Sequence, residues 1–247
     1  MNKMGGRQAV QSNERTFFTG MAVAIAVIVL IGFARTFFLR ALFPDAQSFA
    51  APEPIFLFHG VVFAAWTGFL VLQALLIRRH RVSLHRSVGW LGVALAVLMV
   101  AIGTYGSLVA AARPGGFIGV PLPPQQFLIF PLFDMVLFGL FVTLAITTRA
   151  DPQSHKRLMI LATINLVEAA IIRIPLAFIA AGAPFTSRGL SYLFIIAMVV
   201  WDVRSRGKIH RSTLWGGILI VISLPLRMMV SQTRLWNDVA NWLIQLV

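Results

Sequence analysis

Cysteine is missing from the 247 residues. Its absence excludes disulfides, thiolate metal ligands, a cysteine nucleophile and covalent c-type haem attachment. Acidic side chains are scarce: 8 Asp and Glu face 21 Lys and Arg, and only 12% of the chain is charged. A soluble domain carries roughly twice that charged fraction. Catalytic signatures are missing too. No His-Glu-x-x-His, Walker loop, Gly-x-Ser-x-Gly or Gly-x-Gly-x-x-Gly occurs. No apolar run has a lysine in its interior, which excludes a retinal Schiff base.

What is present is apolar surface. The composition is 58% hydrophobic with 20 Phe, and the mean hydropathy is +0.84. The apolar residues form long runs between short charged turns, the pattern of an all-α polytopic membrane protein. Seven transmembrane helices are predicted, at about 17–39, 55–77, 88–110, 127–148, 157–181, 189–202 and 212–233, in one membrane domain covering the whole chain. The sixth, "GLSYLFIIAMVVW", is the shortest. The first sixteen residues are too polar for a signal-peptide core, so the first span is expected to be uncleaved.

The basic residues sort by side. With the N-terminus inside, the cytoplasmic segments hold Lys3, Arg7 and Arg15, then Arg78, Arg79, Arg81 and Arg86, then Arg149, Lys156 and Arg157, and finally Arg204, Arg206, Lys208 and Arg211. The opposite side holds Arg40, Arg113, Arg188 and Arg234. This positive-inside pattern predicts a multi-pass protein of the bacterial inner membrane, N-terminus cytoplasmic and C-terminus outside. The net charge of +13 then faces anionic headgroups, so nucleic acid is not the expected partner. Outside, "ARPGGFIGVPLPPQQF" (112–127) holds four prolines and predicts a rigid loop able to cap a cavity. The last stretch, about 235–247, puts Trp236, Ala240, Leu243 and Val247 on one helical face. That face suits an interfacial helix or one packed on a partner subunit.

Three basic turns share a form: "LHRSVGWLG", "SHKRLMILA" and "IHRSTLWGG". Each sets a histidine and basic residues before a span, where they anchor at the headgroup level. If the three spans are neighbours, His85, His155 and His210 converge, and they become candidate ligands for a metal or for haem iron. His80, within "RRHRVSLHR", reads as solvated.

Charges also fall within the spans. Glu168 and Arg173 lie about 16 and 24 Å beyond the cytoplasmic surface at 1.5 Å per residue, with Arg227 at a similar depth. From the other side, Asp134 lies roughly 12 Å in and His59 roughly 8 Å in. Asp134 and Glu168 balance Arg173 and Arg227, so the four are expected to face inward and pair. Pro175 and Pro225 each sit two residues from an arginine and are expected to kink its span, opening carbonyls to a cavity. The two arginines suit a carboxylate, a phosphate or haem propionates. His59 with Asp134 and Glu168 has the composition of an iron or zinc triad.

His59, Gln73, then His85, Arg86 and Gly89 in "HRSVGWLG", then His155, Arg157 and Met159 in "HKRLM", with Ala169, Ala170 and Arg173 beyond, form an ordered pattern. It resembles a family of poorly characterised bacterial multi-helix membrane proteins over about 55–175. That family often has tyrosine or arginine where this chain reads "WLG". The resemblance implies a membrane fold and brings no activity with it. The histidines near helix ends are also similar in outline to membrane b-type cytochromes, without their paired spacing within helices.

Three functions are open on this reading, and the histidines at matching helix entries, with His59 beside acidic groups at depth, favour the first. The first is a haem- or metal-binding redox protein. The second is a transporter or binding protein for a small anionic molecule. The third is an accessory subunit of a larger membrane complex or homo-oligomer.

Overall fold

The computed structural model describes residues 3–43, 53–182 and 185–247, with side chains described outside 3–11 and Ala180. Among the described residues every regular element is helical. They are α1 (Lys3–Gly32), α2 (Pro54–Arg78), α3 (Val82–Ala112), α4 (Pro124–Thr147), α5 (Pro152–Ile171), the short α6 (Ala177–Ala181), α7 (Phe185–Arg206), α8 (Arg211–Ser231) and α9 (Arg234–Ile244). One π-helical turn, Ala34–Phe38, and a 3-10 turn, Arg40–Leu42, follow α1. The side chains of Lys3 and Arg7, assigned above to the basic face, lie outside the described residues.

The helix starts follow from local chemistry. Pro54, Pro124 and Pro152 occupy the first turns of α2, α4 and α5, where a missing N–H costs nothing. Asp151 caps α5 by accepting from the Gln153 N–H at 2.9 Å and the Ser154 hydroxyl at 2.6 Å.

Six helices (α1 from Ser12, α2, α3, α4, α7 and α8) are long and apolar enough to cross a membrane. Their outward faces carry large apolar groups: Leu91 and Val97 are each 66% exposed and Met229 72%. So much bare hydrocarbon surface has no satisfactory solvent in water, and it suits a polytopic bundle in lipid. α5 is the exception. Eleven of its 20 residues are buried, including Arg157, Thr163 and Asn165. It packs against α1, α4, α7 and α8 and is the axis of the bundle. α2 reaches it through Trp66, whose indole N–H donates to the Thr163 hydroxyl at 3.2 Å while its ring meets Phe138 edge-on at 4.9 Å.

Three helices differ from the sequence expectation. The helix expected over 157–181 stops at Ile171. Pro175 has no N–H to continue it, so the chain turns through 172–176 before α6. Pro131 and Pro225, in contrast, stay inside α4 and α8. The span expected at 189–202 is the 22-residue α7, which begins four residues earlier and ends four later. The first helix starts well before residue 17 and ends at Gly32, where its backbone meets that of α5. A Cβ on Gly32 would lie 2.1 Å from the Ala170 carbonyl oxygen, so only glycine permits the approach.

The helices alternate in direction, and their basic turns gather at one end. There Arg15 Nη1 lies 2.8 Å from His80 Nδ1, so His80 is paired as well as near solvent. At the opposite end α9 docks on its own bundle. Ala240 is buried among Ala111, Leu128, Trp236 and Ile244, and the Trp236 indole donates to the Gln125 carbonyl at 2.8 Å. The inward face is therefore Trp236, Ala240 and Ile244, while Val247 is exposed.

Candidate functional site

Among the described residues Glu14, Glu53, Asp134, Glu168 and Asp202 form ion pairs. In so basic a chain the carboxylates act mostly as internal counter-charges, in two buried clusters and one outer pair. That pair joins Arg113 to Glu53 at 2.8 Å.

The first cluster lies at the basic end. Arg157 of α5 and Asp202 of α7 are both fully buried and meet through the guanidinium Nε, at 3.0 Å, and Nη2. Arg157 Nη1 also donates to the Gln153 carbonyl at 3.0 Å and the Gln153 side chain at 2.7 Å. Asp202 accepts further from the Thr213 hydroxyl at 2.6 Å and the His210 N–H at 3.1 Å, which brings in α8. Glu14 of α1 completes it, 2.7 Å from Lys156. With every atom of the pair engaged, the cluster works as a tie between four helices.

The three histidines divide into a pair and a cap. His85, in the first turn of α3, and His155, in the first turn of α5, meet edge to face with ring centroids 6.2 Å apart. The His155 Nδ1–H donates to the Ala145 carbonyl at 2.8 Å. His210 instead caps α8, its Nδ1 accepting from the Ser212 N–H at 3.1 Å.

This cap makes His210 a pH-dependent contributor to stability. Burial, reinforced by Arg157 and Arg206, holds the imidazole below its ordinary range. The folded state then binds fewer protons than the unfolded one, so the contribution is complete above an unfolded pKa of about 6.5 and is lost as pH falls through the lower folded value. His210→Asn supplies a cap that does not titrate. The melting-temperature difference between wild type and this variant is expected to move against wild type between pH 7.5 and pH 5, by the equivalent of about 1 kcal/mol.

The second cluster sits towards the other end, between α4, α5, α7 and α8. Arg227 Nη1 donates to Asp134 at 2.6 Å and to the Phe130 carbonyl at 3.2 Å, and its Nη2 donates to the Ser223 hydroxyl at 3.0 Å. Arg188 Nη2 pairs with Glu168 and lies 3.8 Å from Asp134. Ser187 donates to Glu168 at 3.3 Å, and the Asn165 amide donates to the Asp134 carbonyl at 2.9 Å. Arg188 and Arg227 are 2% and 1% exposed. Arg188 Nε and Nη1, Arg227 Nε and Asn165 Oδ1 are nevertheless buried without a hydrogen-bond partner. Buried polar atoms are rarely left unmet, so these three donors and one acceptor mark where a polar group or water belongs.

The expected balance of two acids and two arginines is present, with one exchange. Asp134, Glu168 and Arg227 come together; Arg173 does not join them, and Arg188 fills its place. Arg173 lies past the end of α5 with its guanidinium 4.8 Å above the Phe33 ring, donating to the Ala169 carbonyl. His59 stacks on Phe63 at 4.0 Å, with Arg173 as its charged neighbour, while Asp134 and Glu168 are held by arginines. Among the described residues no three His, Asp, Glu or Cys side chains gather where a metal could bind.

Arg188 and the Arg157–Asp202 pair escaped sequence reasoning. Arg188 reads as loop because the apolar run begins after it. The signal that locates it is length: a run of 13 residues is too short to span, and only extension at both ends, back through Ser187 and Thr186 and on towards Arg206, reaches about 20. Comparison with family models, curated proteins and solved structures gave no match to this chain.

Proposed function

We propose that the protein is a multi-pass membrane protein, N-terminus cytoplasmic, whose Asp134–Glu168–Arg188–Arg227 cluster recognises a small anionic molecule, as a binding protein or transporter does. One observation carries this reading: a guanidinium buried deep in the bundle with two of its three nitrogens unpartnered. An arginine presents its donors as a planar fork matched to carboxylate or phosphate, and Arg188 leaves part of that fork open. The two carboxylates hold it in place and keep the empty site neutral, which limits the cost of burying it. Basic turns facing anionic headgroups support the orientation. The resemblance to bacterial membrane proteins agrees with this setting and adds no activity.

The reading is tested by melting detergent-purified protein with acetate, succinate or inorganic phosphate. At least one is expected to raise the melting temperature in wild type but not in Arg188→Lys, which keeps the charge and loses the fork. Full stabilisation of the lysine variant, or none of wild type by any of the three, would overturn it.

A second reading rests on His85 and His155. Their juxtaposition, with His85 Nδ1 buried and unpartnered, supports haem or iron bound at the basic end of α3 and α5. Protein purified from its native membrane would then show a Soret band or about one iron per chain, lost in His85→Ala.

A further inference from the structure

Arg173 is a cation without an anion. Arg188 and Arg227 face carboxylates and Arg157 faces Asp202, but no ion pair reaches Arg173 among the described residues. It sits where α1 ends between two neighbours. Gly32 closes on Ala170 of α5, Phe37 packs against Gly60 of α2, and the intervening backbone forms the π-helical turn Ala34–Phe38. Such turns replace regular α-helix at a local cost and are frequent at functional sites.

Two unsatisfied polar atoms are carried by the elements that meet there. Thr36 Oγ1 and His59 Nδ1 are both buried without a hydrogen-bond partner. Thr36 lies three residues after Phe33, whose ring is beneath the Arg173 guanidinium, and just before Phe37, whose ring packs on Gly60, the residue after His59. Opposite His59 the wall is Gly106, where an added Cβ would come 3.7 Å from Nδ1. One arginine, one hydroxyl and one imidazole are the donor set of an oxyanion site. Arg173 is exposed, so a headgroup can reach it, while the Thr36 hydroxyl oxygen and His59 Nδ1 beside it are buried.

We propose that Arg173, Thr36 and His59 hold a phosphate group, that of a phospholipid headgroup in the leaflet away from the basic turns. His59 lies five residues into α2, roughly 8 Å along its axis, which suits the level between headgroups and hydrocarbon. An apolar seat for an acyl chain is near. Ile171 and Ile174, on either side of Arg173 in the chain, line a groove of about 360 Å³ with Met21 and Ile28 of α1 and Leu193 and Phe194 of α7. The site is separate from the four-helix charge cluster and does not depend on its ligand.

The test is native mass spectrometry of full-length protein in detergent titrated with phosphatidylglycerol, with inorganic phosphate as a second arm. Wild type is expected to retain one lipid that Arg173→Gln and His59→Leu each weaken about tenfold, the loss of one charge-assisted contact. Arg234→Gln is the control, since Arg234 is an exposed arginine at the start of α9 and outside the corner. Arg173→Lys, which preserves the charge, is measured beside Arg173→Gln and is expected to weaken retention less. Displacement of the lipid by millimolar phosphate would show that the site takes the free ion and overturn the lipid assignment. Equal retention by wild type, Arg173→Gln and Arg173→Lys, or equal loss in Arg234→Gln, would overturn the site.

Discussion

Replacing Arg157 by leucine is expected to cost the protein about 3–5 kcal/mol of stability. The side chain is fully buried, so the loss is not softened by water. It removes both contacts to Asp202 and both to Gln153. Asp202 would keep only the Thr213 hydroxyl and the His210 N–H, too little for a carboxylate in the interior. Since the damage comes chiefly from the stranded charge, removing that charge as well is expected to recover part of it. The double variant Arg157→Leu with Asp202→Leu should be less destabilised than the sum of the two single changes, by roughly 1–3 kcal/mol. Thermal unfolding followed by tryptophan fluorescence measures all four corners of the cycle. Additive effects would mean that the pair is not coupled in the folded protein.

Arg227→Leu is expected to cost about 3 kcal/mol or more. Asp134 would then face only Arg188, at 3.8 Å, which is already engaged with Glu168. The cluster would hold two acids and one base, and the surplus carboxylate must either take up a proton or draw in water. Adding Asp134→Asn restores neutrality while retaining the shape of the side chain. The double variant is expected to melt closer to wild type than Arg227→Leu does. Should Asp134→Asn make Arg227→Leu worse, charge balance is not what holds these four helices together.

Much of this arrangement is visible in the residue order. Apolar runs between basic turns specify the helices, because a chain crossing hydrocarbon must satisfy its backbone within each segment. Asp134, Glu168 and Arg227 stand out as charges in apolar surroundings. Choosing their partner is harder. Arg173 has the matching depth if α5 runs on, and only the break before Pro175 removes it. Arg188 reads as a loop residue until α7 is given its full length. Asp202 is hidden among Arg204, Arg206 and Lys208, where a carboxylate looks like surface. Depth along a helix is legible from spacing, but the direction in which a side chain points depends on how helices rotate about one another, and packing settles that.

The central position of α5 bears on how the protein is made. Of the long helices it alone lacks the apolar composition of a span, yet it packs on four others. Released by itself from a translocation channel, it would enter lipid less readily than its neighbours, since Glu168 and Asn165 lie within its apolar stretch. Its counter-charges arrive at different times: Glu14 is synthesised before it, whereas Asp202 and Arg188 follow. The buried ion pairs of α5 are therefore complete only once α7 has been synthesised, so the middle helix of the sequence order is among the last to find its full set of partners.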